Sequence, residues 1–230
     1  MITLFCHARN CLSGNISEIV PRIEHFSEHT IEYFNSTPSV CKKCNHQHLY
    51  AVLNGTRTHS FVFHPRQRES IHITFPQLKI ICLDCRCRST QGVTIIYARP
   101  NSIYTVPFVL SVLHDKYIDN KTNDELAETY HISKKTISLW SLRFREQTQA
   151  LSESIIAVLS SEISGSLNEE DWSGDNLLHQ PCYAGMQVLK HLDKVLASNF
   201  LFLLFEQTGE LLCCNKRFAQ NSFLLKPPCP

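Results

Sequence analysis

Cys41-Lys42-Lys43-Cys44 and Cys82-Leu83-Asp84-Cys85 are the stretches of this sequence that decide its fold. In a Cys-x-x-Cys turn both thiolates point toward one position, so two such turns supply the four thiolates of a tetrahedral zinc site. We therefore predict a Zn²⁺ ion bound by Cys41, Cys44, Cys82 and Cys85. Four protein ligands leave no coordination position for water, so the predicted zinc is structural rather than catalytic.

Residues beside the two turns leave alternatives for the zinc ligands. Cys87 follows Cys85 by two positions and offers a different pair, although this shorter spacing closes a metal chelate less comfortably. His46 and His48 follow the first turn, and imidazole nitrogen also binds zinc. The two Cys-x-x-Cys pairs remain the predicted ligand set, with these three residues as alternatives.

Composition favours a folded protein of a reducing compartment. Hydrophobic residues make up 43% of the sequence, which argues against general disorder. The start lacks the regions of a secretory signal, and no apolar run approaches the roughly 18 residues of a membrane helix. Eleven cysteines in such a chain favour metal ligands and buried thiols over disulfides. We therefore expect a cytoplasmic protein with no membrane partner.

Charge is unevenly distributed, although the formal net charge is only +1. Residues 41–99 contain nine basic and two acidic side chains, a balance of +7. Four thiolates and one Zn²⁺ would reduce this balance to about +5, and the remaining excess suits either a phosphate-facing surface or a solvated face. The basic residues expected to contact DNA phosphates beside the metal site are Lys42, Lys43, Arg86 and Arg88.

Segments with strand character surround the cysteine pairs. They are residues 60–63, 71–75, 78–81 and 93–97, the second with period-two alternation. Strands that lead into and out of Cys-bearing turns are typical of a zinc ribbon, which we assign to residues 39–100. Residues 1–38 form a lead segment in which Ile19, Ile23 and Phe26 have helical spacing, and residues 35–39 read as a linker or turn.

Three helices are predicted between residues 101 and 150. The first spans Thr105 to Ile118, with Pro107 in its first turn. Thr122 and Glu125 form a capping box that begins the second helix, which runs to about Tyr130. Ser133 is a suitable N-cap for the third helix, from Lys134 to about Glu146.

The second and third helices match a helix-turn-helix DNA-binding motif, with an ordinary helical hairpin as the alternative. The apolar positions of the motif fall on Leu126, Tyr130, Ile132, Ile137 and Trp140. His131 stands in the turn where glycine is common, and histidine tolerates positive φ better than most residues. On the third helix the expected inward face consists of Ile137, Trp140, Ser141 and Phe144.

The outward face of the third helix supplies the candidate DNA contacts. Two lysines in a first helical turn oppose the helix dipole, at a local cost of roughly 0.3–1 kcal/mol each, and DNA phosphate would offset this cost. Lys135 and Ser138 can reach base edges in the major groove, and Leu139 can meet a thymine methyl. The predicted DNA-contacting residues of this helix are Lys134, Lys135, Ser138 and Leu139.

Residues 151–230 are predicted to be mostly helical and apolar. Segments 152–163 and 187–196 have helical patterns, and Glu169-Glu170-Asp171 between them reads as a solvated loop. Residues 200–205 either pair with 211–214 as strands or form a buried helix. This region serves as core or as the surface of a homodimer. It is too short for the three-carboxylate domain of a transposase, and we recognise no catalytic residues in the sequence.

Residues from about 41 to 150, roughly half the chain, resemble a family of uncharacterised transposase-like proteins with a zinc ribbon and a helix-turn-helix, associated with mobile elements. The matching features are the two cysteine pairs, Lys79-Ile80-Ile81, residues 104–108 and residues 132–140. The resemblance implies DNA binding in transposition or element control, and no defined reaction.

The sequence therefore predicts an α+β protein with a small β-rich zinc ribbon, a three-helix helix-turn-helix unit and a mostly helical C-terminal region. The expected function is zinc-stabilised, sequence-specific binding of double-stranded DNA. Two alternatives stay open: a nuclease or transposase subunit whose partner supplies the active site, and an adaptor whose zinc ribbon binds another protein.

Overall fold

The computed structural model describes residues 2–4, 29–36, 41, 43–47, 49–62, 70–95, 102–163, 180–210, 212–213 and 223–225. These residues combine strands and helices, which confirms the α+β class. They form two compact units. The first contains the described residues of Met1–Phe61, Ile71–Ala98 and Asn221–Pro230, and the second those of Val62–Ser70 and Arg99–Gln220.

The first unit is built on a sheet with one short helix. Its strands are β1 (Ile2–Leu4), β2 (Leu49–Phe61), β3 (Ile71–Cys82), β4 (Arg88–Ile95) and β5 (Phe223–Leu225), and its helix is α1 (Thr30–Ser36). The strand order is β2-β3-β4-β1-β5, with β2, β3 and β4 antiparallel and β1 parallel to β4 and β5. The side chain of Asn35 accepts a hydrogen bond from the Ala51 amide at 2.9 Å, which connects α1 to β2.

The long strand β3 changes its buried face at Pro76. Ile73 and Phe75 are buried before the proline, whereas Leu78 and Ile80 are buried after it. Because side chains alternate with a period of two, this change from odd to even positions requires an irregularity in the pairing. It occurs opposite the proline, where the register shifts between Leu53 and Thr56. Residues 71–75 and 78–81, which the sequence separates, are therefore one continuous strand.

The second unit is helical. Its helices are α2 (Val106–Tyr117), α3 (Asn123–Tyr130), α4 (Lys134–Ala150), α5 (Ser152–Glu162), α6 (Tyr183–Lys190), α7 (Leu192–Ala197) and α8 (Phe200–Thr208). The described part of the chain contains no helix with the length and apolar character needed to cross a membrane.

Side-chain caps fix where the first three of these helices begin. Thr122 and Glu125 form the predicted capping box at α3. The Ser133 hydroxyl accepts a hydrogen bond from the Thr136 amide at 3.1 Å and caps α4, as predicted. Thr105 caps α2, and its hydroxyl also donates to the Val62 carbonyl at 3.0 Å. Each cap satisfies an amide that the helix itself leaves without a partner.

The inward face predicted for α4 is confirmed. Its buried residues include Ile137, Trp140, Ser141 and Phe144. Trp140 packs edge-on against Tyr104 and Phe108, with ring centroids 5.4 and 6.2 Å away. Leu126 and Ile132 are buried as well, and Tyr130 is half-buried. These aromatic and aliphatic contacts fix the orientation of α4, so that its opposite face is the exposed one.

His131 ends α3 in the left-handed conformation, with φ 53° and ψ 43°. This conformation lets the His131 amide donate to the Ala127 carbonyl while the chain turns toward α4. A residue with a Cβ is strained in this region, by about 1–2 kcal/mol.

Replacing His131 with glycine is therefore expected to stabilise the protein by about 0.5–1 kcal/mol, because relief of strain exceeds the entropy that glycine adds to the unfolded chain. Urea unfolding checks this value. His131→Val is the matched variant and should destabilise, since a β-branched residue tolerates positive φ poorly. Equal stabilities of the two variants would contradict the argument.

Several sequence predictions need correction. Asn35 and Ser36 belong to α1 rather than to a linker. The segment predicted as one helix over 187–196 is divided at His191 into α6 and α7. Residues 200–205 lie in helix α8, which ends at Gly209 with φ 71°, so the strand alternative is wrong. The helix predicted through residues 19–26 and the loop at 169–171 lie outside the described residues.

Candidate functional site

Two turns of the same backbone geometry carry the cysteine pairs. In the first, the Asn45 amide donates to the Cys41 carbonyl at 2.8 Å, and the Cys41 amide donates to His46 at 2.8 Å. In the second, the Arg86 amide donates to Cys82 at 3.1 Å, and the Cys82 amide donates to Cys87 at 3.0 Å.

The conformation at the fifth position of each turn is also shared. Asn45 and Arg86 both have φ 59°. Cys41 therefore corresponds to Cys82, Cys44 to Cys85, and His46 to Cys87. Asparagine adopts the left-handed region more easily than most residues, whereas arginine at this position carries strain. The second turn consequently offers a third thiol where the first turn offers an imidazole.

The two turns bring five sulfur atoms together. The Sγ atom of Cys41 lies 3.6 Å from that of Cys85 and 3.3 Å from that of Cys87. The Sγ atoms of Cys44 and Cys82 are 3.6 Å apart. The four sulfurs that lie within 4.8 Å of one another belong to Cys41, Cys82, Cys85 and Cys87, a group that can hold a metal ion. Cys41 and Cys82 are buried, whereas the other three are partly exposed.

Cys44 belongs to the same cluster. Its thiol interacts with those of Cys41, Cys82 and Cys85. The structure thus assembles all four predicted ligands and adds Cys87, which the sequence offered as an alternative. Sequence spacing disfavoured Cys87 because a Cys-x-Cys pair with Cys85 would close a strained chelate. Cys87 instead occupies the position after the turn, where the hydrogen bond to the Cys82 amide brings its backbone back to the cluster.

Hydrogen bonds from backbone amides lower the pKa values of two thiols in the cluster. Those from Lys43 and Cys44 lower the pKa of Cys41 to about 6, and one from Cys87 lowers the pKa of Cys85. At Cys44 the backbone bond from His46 lowers the pKa, but burial and the neighbouring thiols raise it to about 12. Hydrogen bonds with Cys85 and Cys41 raise the pKa of Cys87 to about 12. The cluster therefore contains sulfurs predisposed to the thiolate form that metal ions bind.

Charged residues surround the cluster. The imidazole Nδ1 of His46 lies 3.4 Å from a carboxylate oxygen of Asp84, and the same oxygen lies 3.9 Å from the Sγ atom of Cys82. Lys43, Arg86 and Arg88 are exposed. Lys42 and His48 lie outside the described residues.

The residues predicted to contact DNA from α4 lie on its exposed side. Lys134, Lys135, Ser138 and Leu139 are all exposed. The Lys134 ammonium forms an ion pair with Asp124, in which both side chains are largely exposed. The Ser138 hydroxyl accepts a hydrogen bond from the Asn123 side chain at 3.1 Å. Lys135 and Leu139 complete a mixed polar and apolar strip along this side of the helix.

A cleft of about 1210 Å³ in the helical unit was not predicted from the sequence. Donor atoms of His114, Asp115 and Asp119 lie within 4.8 Å of one another on its wall. Burial raises the pKa of Asp115, but hydrogen bonds from Lys121 and Tyr130 outweigh this effect and hold it below its usual value. Because the Lys121 ammonium lies 2.5 Å from Asp115 and already neutralises it, this group is a weaker metal candidate than the cysteine cluster.

The comparisons with known proteins gave no match: no protein-family model, curated protein or solved structure resembles this chain significantly. The candidate site therefore rests on the geometry of its own residues.

Proposed function

We propose that this protein is a zinc-stabilised, sequence-specific DNA-binding protein, derived from a transposase or associated with a mobile element. The observation that carries the proposal is the exposed strip of α4, which begins with two lysines and lies opposite a buried aromatic face. The place in transposition or element control rests on the sequence resemblance described above. The cysteine cluster supports the choice of metal.

Zinc fits the cysteine cluster by both chemistry and size. Zinc in structural sites prefers tetrahedral thiolate coordination with Zn–S near 2.3 Å, and such a tetrahedron has S–S edges of about 3.8 Å. The S–S distances of 3.3, 3.6 and 3.6 Å in the cluster approach this value. With four thiolates bound, zinc has no open position, so its proposed role is to hold the two turns together.

The N-terminal turn of α4 has the features of a phosphate contact. It contains Lys134 and Lys135 and no acidic residue. The amides of a helix N-terminus and lysine ammonium groups both attract phosphate. Lys134 is paired with Asp124, but an ion pair between two exposed side chains contributes only about 0–1 kcal/mol. A DNA phosphate can therefore replace Asp124 as the partner of this lysine.

Base contacts are proposed for the next turn of α4. Ser138 accepts a hydrogen bond from Asn123, which leaves its hydroxyl proton for an acceptor on a base edge. Leu139 is 41% exposed and offers an apolar surface to a thymine methyl. Lys135 can donate to guanine. Lys42, Lys43, Arg86 and Arg88 are proposed to contact phosphates from the cysteine-bearing unit, where the last three are exposed.

Selection from random DNA duplexes by the zinc-loaded protein tests the proposal. At about 150 mM salt, where long-range attraction is screened, enrichment of one motif is the expected result. A two-fold symmetric motif would indicate that a dimer binds. Zinc-loaded protein that enriches no motif would overturn sequence-specific binding. Binding of a protein partner in its place would favour the adaptor, and metal-dependent nicking of supercoiled DNA would favour the nuclease.

Changing Lys134 and Lys135 together to alanine is expected to weaken DNA binding. It should also reduce the slope of log affinity against log salt by about 2, near 0.9 for each lost phosphate contact. Fluorescence anisotropy over a salt series measures the slope. Lys190→Ala with Lys194→Ala is the matched control, because it removes the same charge from exposed lysines elsewhere in the helical unit. Equal salt slopes for the two double variants would show that Lys134 and Lys135 do not contact DNA phosphates.

A further inference from the structure

The cysteine cluster contains one more thiol than a tetrahedral zinc ion can bind. Cys41, Cys82 and Cys85 are common to both sets of four that the cluster offers. Cys44 interacts with all three of these thiols. Cys87 lies within 4.8 Å of the same three. Cys44 and Cys87 therefore both lie beside the same triangle of sulfurs, which is formed by Cys41, Cys82 and Cys85.

We infer that Cys44 and Cys87 are alternative fourth ligands of one metal ion, and that the cysteine left unbound is an uncoordinated thiol in the metal-loaded protein. This inference rests on the zinc site proposed above. It adds a ligand exchange that a fixed set of four cysteines does not allow.

The positions of the five cysteines in the two turns support this division. Cys41 and Cys82 are buried, and each has its amide and carbonyl engaged in closing its own turn. Cys44 and Cys87 are both partly exposed, and they contact different members of the triangle most closely. The shortest of these contacts are Cys44 to Cys82 at 3.6 Å and Cys87 to Cys41 at 3.3 Å. Both S–S distances are close to the edge of about 3.8 Å expected for a tetrahedron of four sulfurs around zinc.

The fifth thiol is present on only one side because the residue at the position after the turn differs between the two turns. The residue after the first turn is His46, which has an imidazole in place of a thiol and lies 3.4 Å from Asp84. Its counterpart after the second turn is Cys87, which the matching backbone hydrogen bond holds beside the sulfurs. The second turn thus supplies three thiols and the first supplies two. Either thiol of the exchanging pair completes a set of four.

Differential alkylation of the full-length zinc-loaded protein tests the inference. Free thiols are labelled with light N-ethylmaleimide, zinc is then removed under denaturing conditions, and the remaining thiols take the heavy reagent. Mass spectrometry after cleavage with a protease other than trypsin locates each label, because Arg86 and Arg88 flank Cys87. We expect light label on Cys44 or on Cys87 in each molecule, never on both, and heavy label on Cys41, Cys82 and Cys85. Light label on both Cys44 and Cys87 of one molecule, or on Cys41, Cys82 or Cys85, would overturn the inference, and if one of the two thiols takes all the light label, the zinc affinities of the variants below decide between exchange and a fixed set.

Zinc affinities of single and double variants provide a second measurement. Cys44→Ser and Cys87→Ser should each retain one zinc, with an affinity reduced by less than about 100-fold, the loss typical of groups outside the ligand set. The double variant should lose zinc under the same chelator competition. Cys182→Ser is the matched control, because Cys182 lies in the helical unit and should leave zinc affinity unchanged.

The outcomes separate this inference from the proposed function. Absence of zinc from the wild-type protein would overturn the metal centre and the inference together. One zinc in the wild type and none in Cys44→Ser would overturn only the exchange, and would establish Cys41, Cys44, Cys82 and Cys85 as the fixed ligands. Loss of zinc in Cys87→Ser alone would instead establish the set that contains Cys87.

Discussion

Replacing Cys82 with serine is expected to abolish zinc binding and to unfold the sheet unit. Cys82 is fully buried at the end of β3, and both candidate ligand sets include it. A structural zinc site contributes an apparent 10–16 kcal/mol, about as much as the 5–15 kcal/mol that stabilises a typical folded protein. Zinc content by elemental mass spectrometry and loss of β structure by circular dichroism measure the two effects.

Removing zinc from the wild-type protein with a chelator should reproduce the effect of Cys82→Ser. The control substitution Cys182→Ser changes a partly exposed cysteine of the helical unit, and should keep both zinc and fold. Full zinc content in Cys82→Ser would show that Cys82 is not a ligand. A chelated wild type with unchanged β structure would show that the sheet does not depend on the metal.

Replacing Phe144 with alanine is expected to destabilise the helical unit by about 3–5 kcal/mol, the cost of removing a large aromatic side chain from a packed core. Phe144 has no exposed surface and lies on the buried face of α4, two turns beyond Ile137. Because this face holds α4 in place, we expect the variant to lose DNA affinity as its helices unfold. Urea unfolding followed by helical circular dichroism measures the change in free energy.

Leu142 on the same helix provides the control for Phe144. It is 43% exposed, and its change to alanine should alter the free energy of unfolding by no more than about 0.5 kcal/mol. A loss of similar size in the two variants would mean that α4 is not anchored by its predicted inward face.

The helical unit was largely predictable because local chemistry determines where its helices begin. Thr122 with Glu125 and Ser133 are caps whose hydrogen bonds span three residues, so sequence spacing alone identifies them. The period of apolar residues gave the inward face of α4 in the same way. His131 stands at the position of the helix-turn-helix motif where glycine is common, and it adopts the left-handed conformation that this position requires.

The sheet and the C-terminal helices were less predictable, because their structure depends on contacts between distant residues. The two strands predicted at residues 71–75 and 78–81 are one strand, because the irregular pairing opposite Pro76 accommodates the proline within it. Phe200–Thr208 is apolar enough for a buried strand or a buried helix. Its packing against α5 and the turn at Gly209 determined that it is a helix.

The sequence by itself determined the two cysteine turns and the capped helices, since both arise from residues a few positions apart. Only the tertiary structure decided which sulfurs lie together, because the distance between Cys41 and Cys87 depends on how β2, β3 and β4 pair. The cleft around Asp115 likewise could not be predicted from local sequence, because its wall combines α2 with residues 190–194, which are distant in the chain. Hydrogen bonds between residues a few positions apart can be predicted from the spacing of those residues in the sequence. The geometry of a site instead depends on the path of the whole chain.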